Sequence, residues 1–240
     1  MPNLTLSNIL FLDIETVSQQ ASFEELSELW KPLWKRKAEI LLRNKEEETI
    51  ESIYGRAGIY AEFGKIICIS CGVIQGTGAG KKIVLKSFCG DDEKLLLHEF
   101  VDMLNKWATD NSKYLCAHNG KEFDFPYMCR RMIVHNICVP PLLHMAGRKP
   151  WEVNHLDTME LWKFGDFKSY TTLNLLACTL GVPTPKDDID GSMVGDTYWK
   201  EKDLARIVVY CQKDVITVAQ VYLRMNGEAL IKNENIEIKG

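Results

Sequence analysis

Asn8-Ile9-Leu10-Phe11-Leu12-Asp13-Ile14-Glu15-Thr16 carries four apolar residues straight into two acids one residue apart. So short a run of Ile, Leu and Phe reads as a buried strand. Side chains alternate along a strand, which puts Asp13 and Glu15 on one face. Two carboxylates side by side at the end of a buried strand repel each other and lose hydration. Either the chain is simply leaving the core there, or something positive compensates them. A divalent cation with oxygen ligands is the natural candidate.

Two later stretches bear on that choice. His118-Asn119-Gly120-Lys121-Glu122-Phe123-Asp124-Phe125-Pro126-Tyr127 starts at the end of Tyr114-Leu115-Cys116-Ala117-His118-Asn119, read as a fourth strand. Asn119-Gly120 is a turn, and Pro126 suits the first turn of a helix. Asp124 either caps that helix or presents a third carboxylate at the C-terminal edge of the sheet, where open α/β sheets bind ligands. The third stretch, Leu204 to Val218, is a strongly apolar helix carrying Tyr210 and Asp214. Four residues apart, these two share a face. By themselves they read as an ordinary surface pair.

The remaining elements follow from periodicity. Between residues 22 and 56, Phe23, Leu26, Leu29, Trp30, Leu33, Trp34, Ile40 and Leu41 recur at helical spacing, which predicts one or two helices inserted after the first strand. Residues 63–74 and 82–88 read as a hairpin across Gln75-Gly76-Thr77-Gly78-Ala79-Gly80. That glycine run is not a phosphate loop, because Gln75 and Lys82 stand where a glycine and a hydroxyl residue are needed. Asp91-Asp92-Glu93 opens a helix, residues 153–157 form a short fifth strand, and Thr171 to Leu180 form a helix closed by Gly181. Asp187-Asp188-Ile189-Asp190-Gly191-Ser192 lacks the acids of a full calcium loop and reads as a turn.

Composition narrows the function. At 46% apolar and 26% charged, 240 residues form an ordinary globular chain, long enough for one large α/β domain or two small ones. No run approaches a membrane span and no signal peptide stands at the start, so a cytoplasmic protein with no membrane partner is expected. The eight cysteines include one CxxC, Cys68 and Cys71, whose strand context turns them to opposite faces, so no zinc set forms. A net charge of −4 argues against a broad basic footprint, though two divalent ions would bring the total to zero.

Taken together, the three acidic stretches resemble the DnaQ-like 3′→5′ exonucleases of the tyrosine subclass. Asp13-Ile14-Glu15 is similar to the DxE motif, Asn119 with Phe123-Asp124 to N-x3-[FY]-D, and Tyr210-x3-Asp214 to YxxxD. Val209 stands where the histidine subclass has its histidine. The second stretch is similar to proofreading domains of family-B DNA polymerases, and a stand-alone exonuclease is the expectation. The resemblance implies a single domain over 1–240 with an α/β, ribonuclease H-like fold: a five-stranded mixed central sheet flanked by helices, with a helical insertion over about residues 17–62. It implies that Asp13, Glu15, Asp124 and Asp214 hold two Mg²⁺ or Mn²⁺ ions and that Tyr210 orients the attacking water. The implied partner is the 3′ end of DNA, single-stranded or frayed, with RNA as the alternative substrate and an idle end-binding module as the alternative class. Ile14, Thr16 and Asn119 become expected contacts for the terminal nucleotide, and Phe125 either joins them or is core. Arg130, Arg131 and Lys121 either meet phosphates or are solvated surface.

Overall fold

The computed structural model describes residues 4–43, 47–149, 152–166, 170–183 and 189–239. Among the described residues, six strands form one mixed sheet: β1 (Ile9–Ser18), β2 (Gly64–Gln75), β3 (Lys82–Cys89), β4 (Tyr114–Ala117), β5 (Leu156–Asp157) and β6 (Ile236–Lys239). Their order is β5-β4-β1-β2-β3-β6. β1 runs antiparallel to β2 and β2 to β3, whereas β1–β4, β4–β5 and β3–β6 are parallel. This is the strand arrangement of a ribonuclease H-like sheet with one strand more than expected. The addition, β6, is a four-residue Ile-Glu-Ile-Lys edge strand whose residues are exposed or half-buried. Its alternation is the only local signal for it, and pairing with β3 supplies the rest.

Seven helices among the described residues accompany the sheet: α1 (Trp30–Leu41), α2 (Glu93–Trp107), α3 (Asp124–Val134), α4 (Thr158–Lys163), α5 (Leu173–Thr179), α6 (Val194–Asp196) and α7 (Leu204–Met225). The parity of β1 shows how the layers are assigned. Leu10, Leu12 and Ile14 pack with Leu97 and Phe100 of α2 and Met128 of α3. Ile9 and Phe11 face the other way, onto Val215, Val218 and Tyr222 of α7. Asp13 and Glu15 continue the second set, so the alternation that buries β1 also aims its acids toward α7.

The insertion after β1 has a small core of its own, in which Trp34 meets Tyr54 and Phe63 edge-on at ring-centroid distances of 5.4 and 5.3 Å. Within it, α1 is one helix of 12 residues, and a 3₁₀ turn, Tyr54–Ile59, follows. It is held to the sheet where Gly58 passes the β1 backbone. A Cβ there would sit 3.0 Å from Val17 Cα, and the Gly58 carbonyl accepts a hydrogen bond from Tyr127 of α3 at 2.7 Å. Arg131 was expected to meet phosphate or water. It is buried instead: Nη1 donates to the Ala61 carbonyl at 2.8 Å, and Nε donates to Glu93 at 2.9 Å. A guanidinium surrounded by a carboxylate and a carbonyl has no reason to remain in solvent.

Of the acidic stretch read as a turn, Asp187 and Asp188 lie outside the described residues. From Asp190 onward it is a turn, with Asp190 Oδ1 accepting from the Ser192 amide at 2.8 Å. Among the described residues, no helix is long and apolar enough to cross a membrane.

Candidate active site

The site forms where β1 emerges between α3 and α7. β1 pairs regularly with β2 up to Glu15, and the register shifts between Glu15 and Thr16. A bulge at this point turns the strand just beyond its two acids. α7 crosses that face, and the Cys211 thiol donates to the Asp13 carbonyl at 3.4 Å. Asp124 arrives from α3, where its Oδ1 accepts a hydrogen bond from the Ile14 amide at 3.2 Å. Carboxylates from three distant parts of the chain are therefore assembled around β1.

Their electrostatics show how close they are. Burial pushes the Asp13 carboxyl well above its ordinary value, and the charges of Glu15, Asp124 and Asp214 push it further. Burial does the same to Glu15, with Asp214 the next cause. Asp124 is raised to about 7 by burial, against hydrogen bonds that lower it. The Tyr210 hydroxyl is also driven up, by burial and then by Asp214, Glu15 and Asp13, and it hydrogen-bonds the Asp214 carboxylate. The Asp214 charge thus bears on Asp13, Glu15 and Tyr210 alike, and Tyr210 stays protonated at any physiological pH.

The donor set suits a hard cation. Oxygen atoms of Asp13 and Glu15 lie with the Cys211 sulfur within 4.8 Å of one another. Asp13 Oδ2 is buried and has no hydrogen-bond partner among the described residues. A buried carboxylate oxygen without a donor is costly unless a cation takes that place. Burial, with Cys68, Asp13 and Glu15 alongside, pushes the Cys211 thiol up, and its hydrogen is given to the Asp13 carbonyl. Oxygen-only sites take Mg²⁺ or Mn²⁺ in preference to zinc.

The expected contact residues divide. The Ile14 amide is spent on Asp124. The half-buried Thr16 side chain hydrogen-bonds the Tyr127 hydroxyl. Phe125 is core: it is fully buried, in a T-shaped contact with His155 at a ring-centroid distance of 5.3 Å, and it offers no face to a nucleotide. Asn119 lies at the site rim with φ 65°, and its Nδ2 donates to the Tyr170 hydroxyl at 3.3 Å. Gly120 beside it is obligatory, because a Cβ would fall 2.4 Å from that of Ala117. His118 is an ordinary hydrogen-bonded histidine, with Nδ1 against Thr158 Oγ1 and Nε2 against the Thr171 carbonyl, both at 2.8 Å.

One residue escaped the sequence reading. Asp157 is buried and accepts hydrogen bonds from four backbone amides, those of Asn119, Lys121, Met159 and Glu160, at 3.0 to 3.2 Å. It caps α4 and at the same time fastens the turn that delivers Asp124. Its signal was present as Asp157…Glu160, an N-cap acid three residues ahead of a glutamate.

No curated protein matches the chain. A family B DNA polymerase structure from the hyperthermophilic archaeon Pyrobaculum calidifontis aligns over 90% of this chain and 25% of that one, at 15% identity and a TM-score of 0.49. The chain spans about a quarter of that polymerase's length. A family model described as "Predicted 3'-5' exonuclease related to the exonuclease domain of PolB" matches residues 59–235. That span contains Asp124, Tyr210 and Asp214 and begins after Asp13 and Glu15, which join them through the sheet. With nearly three-quarters of its length matched, the chain belongs to this family of predicted 3′–5′ exonucleases related to the exonuclease domain of PolB.

Proposed function

We propose that the protein is a divalent-metal-dependent 3′→5′ exonuclease that removes nucleoside 5′-monophosphates from the 3′ ends of single-stranded or frayed DNA. The observation that carries this reading is the unpaired Asp13 Oδ2, buried amid Glu15, Asp124 and Asp214. Asp13, Glu15 and Asp214, with Asp124 acting through water, would hold two Mg²⁺ or Mn²⁺ ions. When bound, such ions supply positive charge at both the attacking and the leaving oxygen of an in-line displacement.

The chain's own groups do the positioning. Tyr210 gives its proton to a hydrogen bond with Asp214, which leaves the lone pairs of its hydroxyl to accept a hydrogen from the attacking water. Its raised pKa keeps it from ionising, so it holds the water and takes no proton from it. The hydrogen bond from the Ile14 amide to Asp124 fixes one carboxylate relative to the strand that carries the other two. An unpaired end is preferred because a duplex end must be opened before it can enter the site.

The test is digestion of labelled single-stranded DNA, duplex DNA and RNA, side by side, with wild type and Asp13→Ala. Wild type releases 5′-monophosphates fastest from single-stranded DNA, and folded Asp13→Ala releases none. Robust turnover by a folded Asp13→Ala protein would refute the site, and faster digestion of RNA would reassign the substrate.

A further inference from the structure

Cys68 stands in the middle of a row that crosses three strands. β2 pairs it with Glu15 of β1 on one side and with Cys89 of β3 on the other. The Gly90 amide donates to the Ile67 carbonyl at 3.1 Å, which makes Ile67 and Gly90 a hydrogen-bonded pair of the antiparallel ladder. Such pairs alternate with non-hydrogen-bonded ones, so Cys68 and Cys89 form a non-hydrogen-bonded pair, with Cα atoms about 4.5 Å apart and side chains turned to the same face. The next pair of that kind, Ser70 and Ser87, shows how near the side chains come: their hydroxyls hydrogen-bond at 2.8 Å. A disulfide spans Cα separations of about 4.4–6.8 Å, so the two sulfurs can be joined without moving the strands.

The pair connects the surface to the acidic site. Cys89 is exposed, whereas Cys68 is fully buried. Their shared face lies under α7, where Gln212 donates to Ser87 Oγ at 2.9 Å. There the Cys68 sulfur is in hydrogen-bond contact with that of Cys211, whose thiol supports the Asp13 carbonyl. Cys68 also bears on the Glu15 carboxyl. Cys71, the other cysteine of β2, packs with α2 and α3 on the opposite face. Among the described residues, no other two cysteines stand opposite each other on paired strands.

We propose that Cys68 and Cys89 form a reversible cross-strand disulfide by exchange with a low-molecular-weight disulfide, and that the bridge weakens the metal-holding edge by drawing the Cys68 sulfur away from Cys211. The bridge itself stands on the ladder geometry, and its effect on turnover rests on the exonuclease reading. In the first step the Cys89 thiolate attacks the small disulfide and breaks its sulfur–sulfur bond; one small thiolate leaves and takes up the proton that Cys89 released. In the second, the Cys68 sulfur attacks that of Cys89, expels the other small thiolate and gives it the Cys68 proton. Two protein thiols are oxidised, and one small disulfide is reduced to two thiols. With one sulfur at the surface the bridge is open to the reverse attack, so added thiol restores the reduced form.

The test treats the intact chain with oxidised glutathione, alkylates it and maps the unreduced peptides by mass spectrometry. Burial holds the Cys89 thiol above its ordinary value, so the exchange is run at alkaline pH. Wild type yields peptides joined through Cys68 and Cys89, and dithiothreitol separates them. Cys68→Ser stops at the glutathione adduct on Cys89. Cys138→Ser/Cys178→Ser, which removes two other exposed thiols, bridges like wild type. Mn²⁺ raises the melting temperature of the bridged protein less than half as much as that of the reduced protein, and nucleotide release falls at least fivefold; Cys89→Ser given the same treatment shows neither loss. Cys89 remaining a free thiol or an adduct in folded wild type, or a bridged protein with an unchanged Mn²⁺ response, overturns the proposal. A protein that bridges and loses its Mn²⁺ response, yet releases no nucleotide in either state, keeps the thiol pair and loses the exonuclease reading.

Discussion

Asp13 is held where burial and neighbouring charge both oppose its ionised form. One of its oxygens is buried without a donor, and three other carboxylates bear on it. Asp124 shows the consequence for pH. Its carboxyl moves from the ordinary 3.8 to about 7 in the fold. Between those values the folded protein holds more protons than the unfolded one, so stability is full below the lower value and is lost as pH rises through the upper. Metal-free protein therefore melts at a lower temperature at pH 8 than at pH 5, as read by circular dichroism. Asp13→Asn removes one of the repelling charges and raises the melting temperature of metal-free protein at pH 8, by about 2–4 °C for each kcal/mol regained. A drop in melting temperature would show that repulsion is not what Asp13 contributes. At the same scale, Tyr210→Phe slows nucleotide release less than Asp214→Ala, because one loses a hydrogen bond to water and the other a carboxylate. Rate assays giving the reverse order would remove Tyr210 from its positioning role.

At the level of elements, two buried acids hold the scaffold. Asp157 ties the β4–α3 turn to the start of α4, so Asp157→Ala leaves buried amides without acceptors, at about 1–3 kcal/mol. Activity falls with it because Asp124 loses its fixed approach, and Asp157→Asn, which can satisfy some of the amides, recovers part of both. Loss of stability with full activity would separate the clamp from the site. Glu93 does similar work at the other end of α3. It accepts from the Ile66 amide at 2.7 Å, from Arg131, and from His135. Arg131→Met strands that buried carboxylate and costs about 3–5 kcal/mol, measured by urea denaturation. The neighbouring Arg130 is exposed, so two adjacent arginines of one helix have unrelated roles. Helical phase separates them, and the dipeptide Arg130-Arg131 does not announce it.

Across the whole molecule, a sheet covered by α7 on one face and by α2 and α3 on the other leaves one edge to which both helical layers bring carboxylates. A chain of net charge −4 gathers four of its acids there, so the edge attracts cations before any phosphate arrives. The proposed metal dependence predicts that EDTA stops nucleotide release and that Mg²⁺ or Mn²⁺ restores it. The same ions raise the melting temperature more at pH 8 than at pH 5, where protons already occupy part of the site. Activity persisting in excess chelator would contradict the metal-dependent reading.

The sequence by itself determined β1 and the sense of its acids, because strand alternation is a local rule that Ile9 to Glu15 obeys without help from the rest of the chain. It also determined the helix that carries Tyr210 and Asp214 on one face, and the turn at Asn119-Gly120. Tertiary structure alone decided that the Asp214 charge bears on Asp13, that Phe125 is core, that Arg131 is buried against Glu93, and that β6 completes the sheet. Each of these depends on partners tens to hundreds of residues away. Local periodicity records which face a residue occupies, and only packing decides what that face meets.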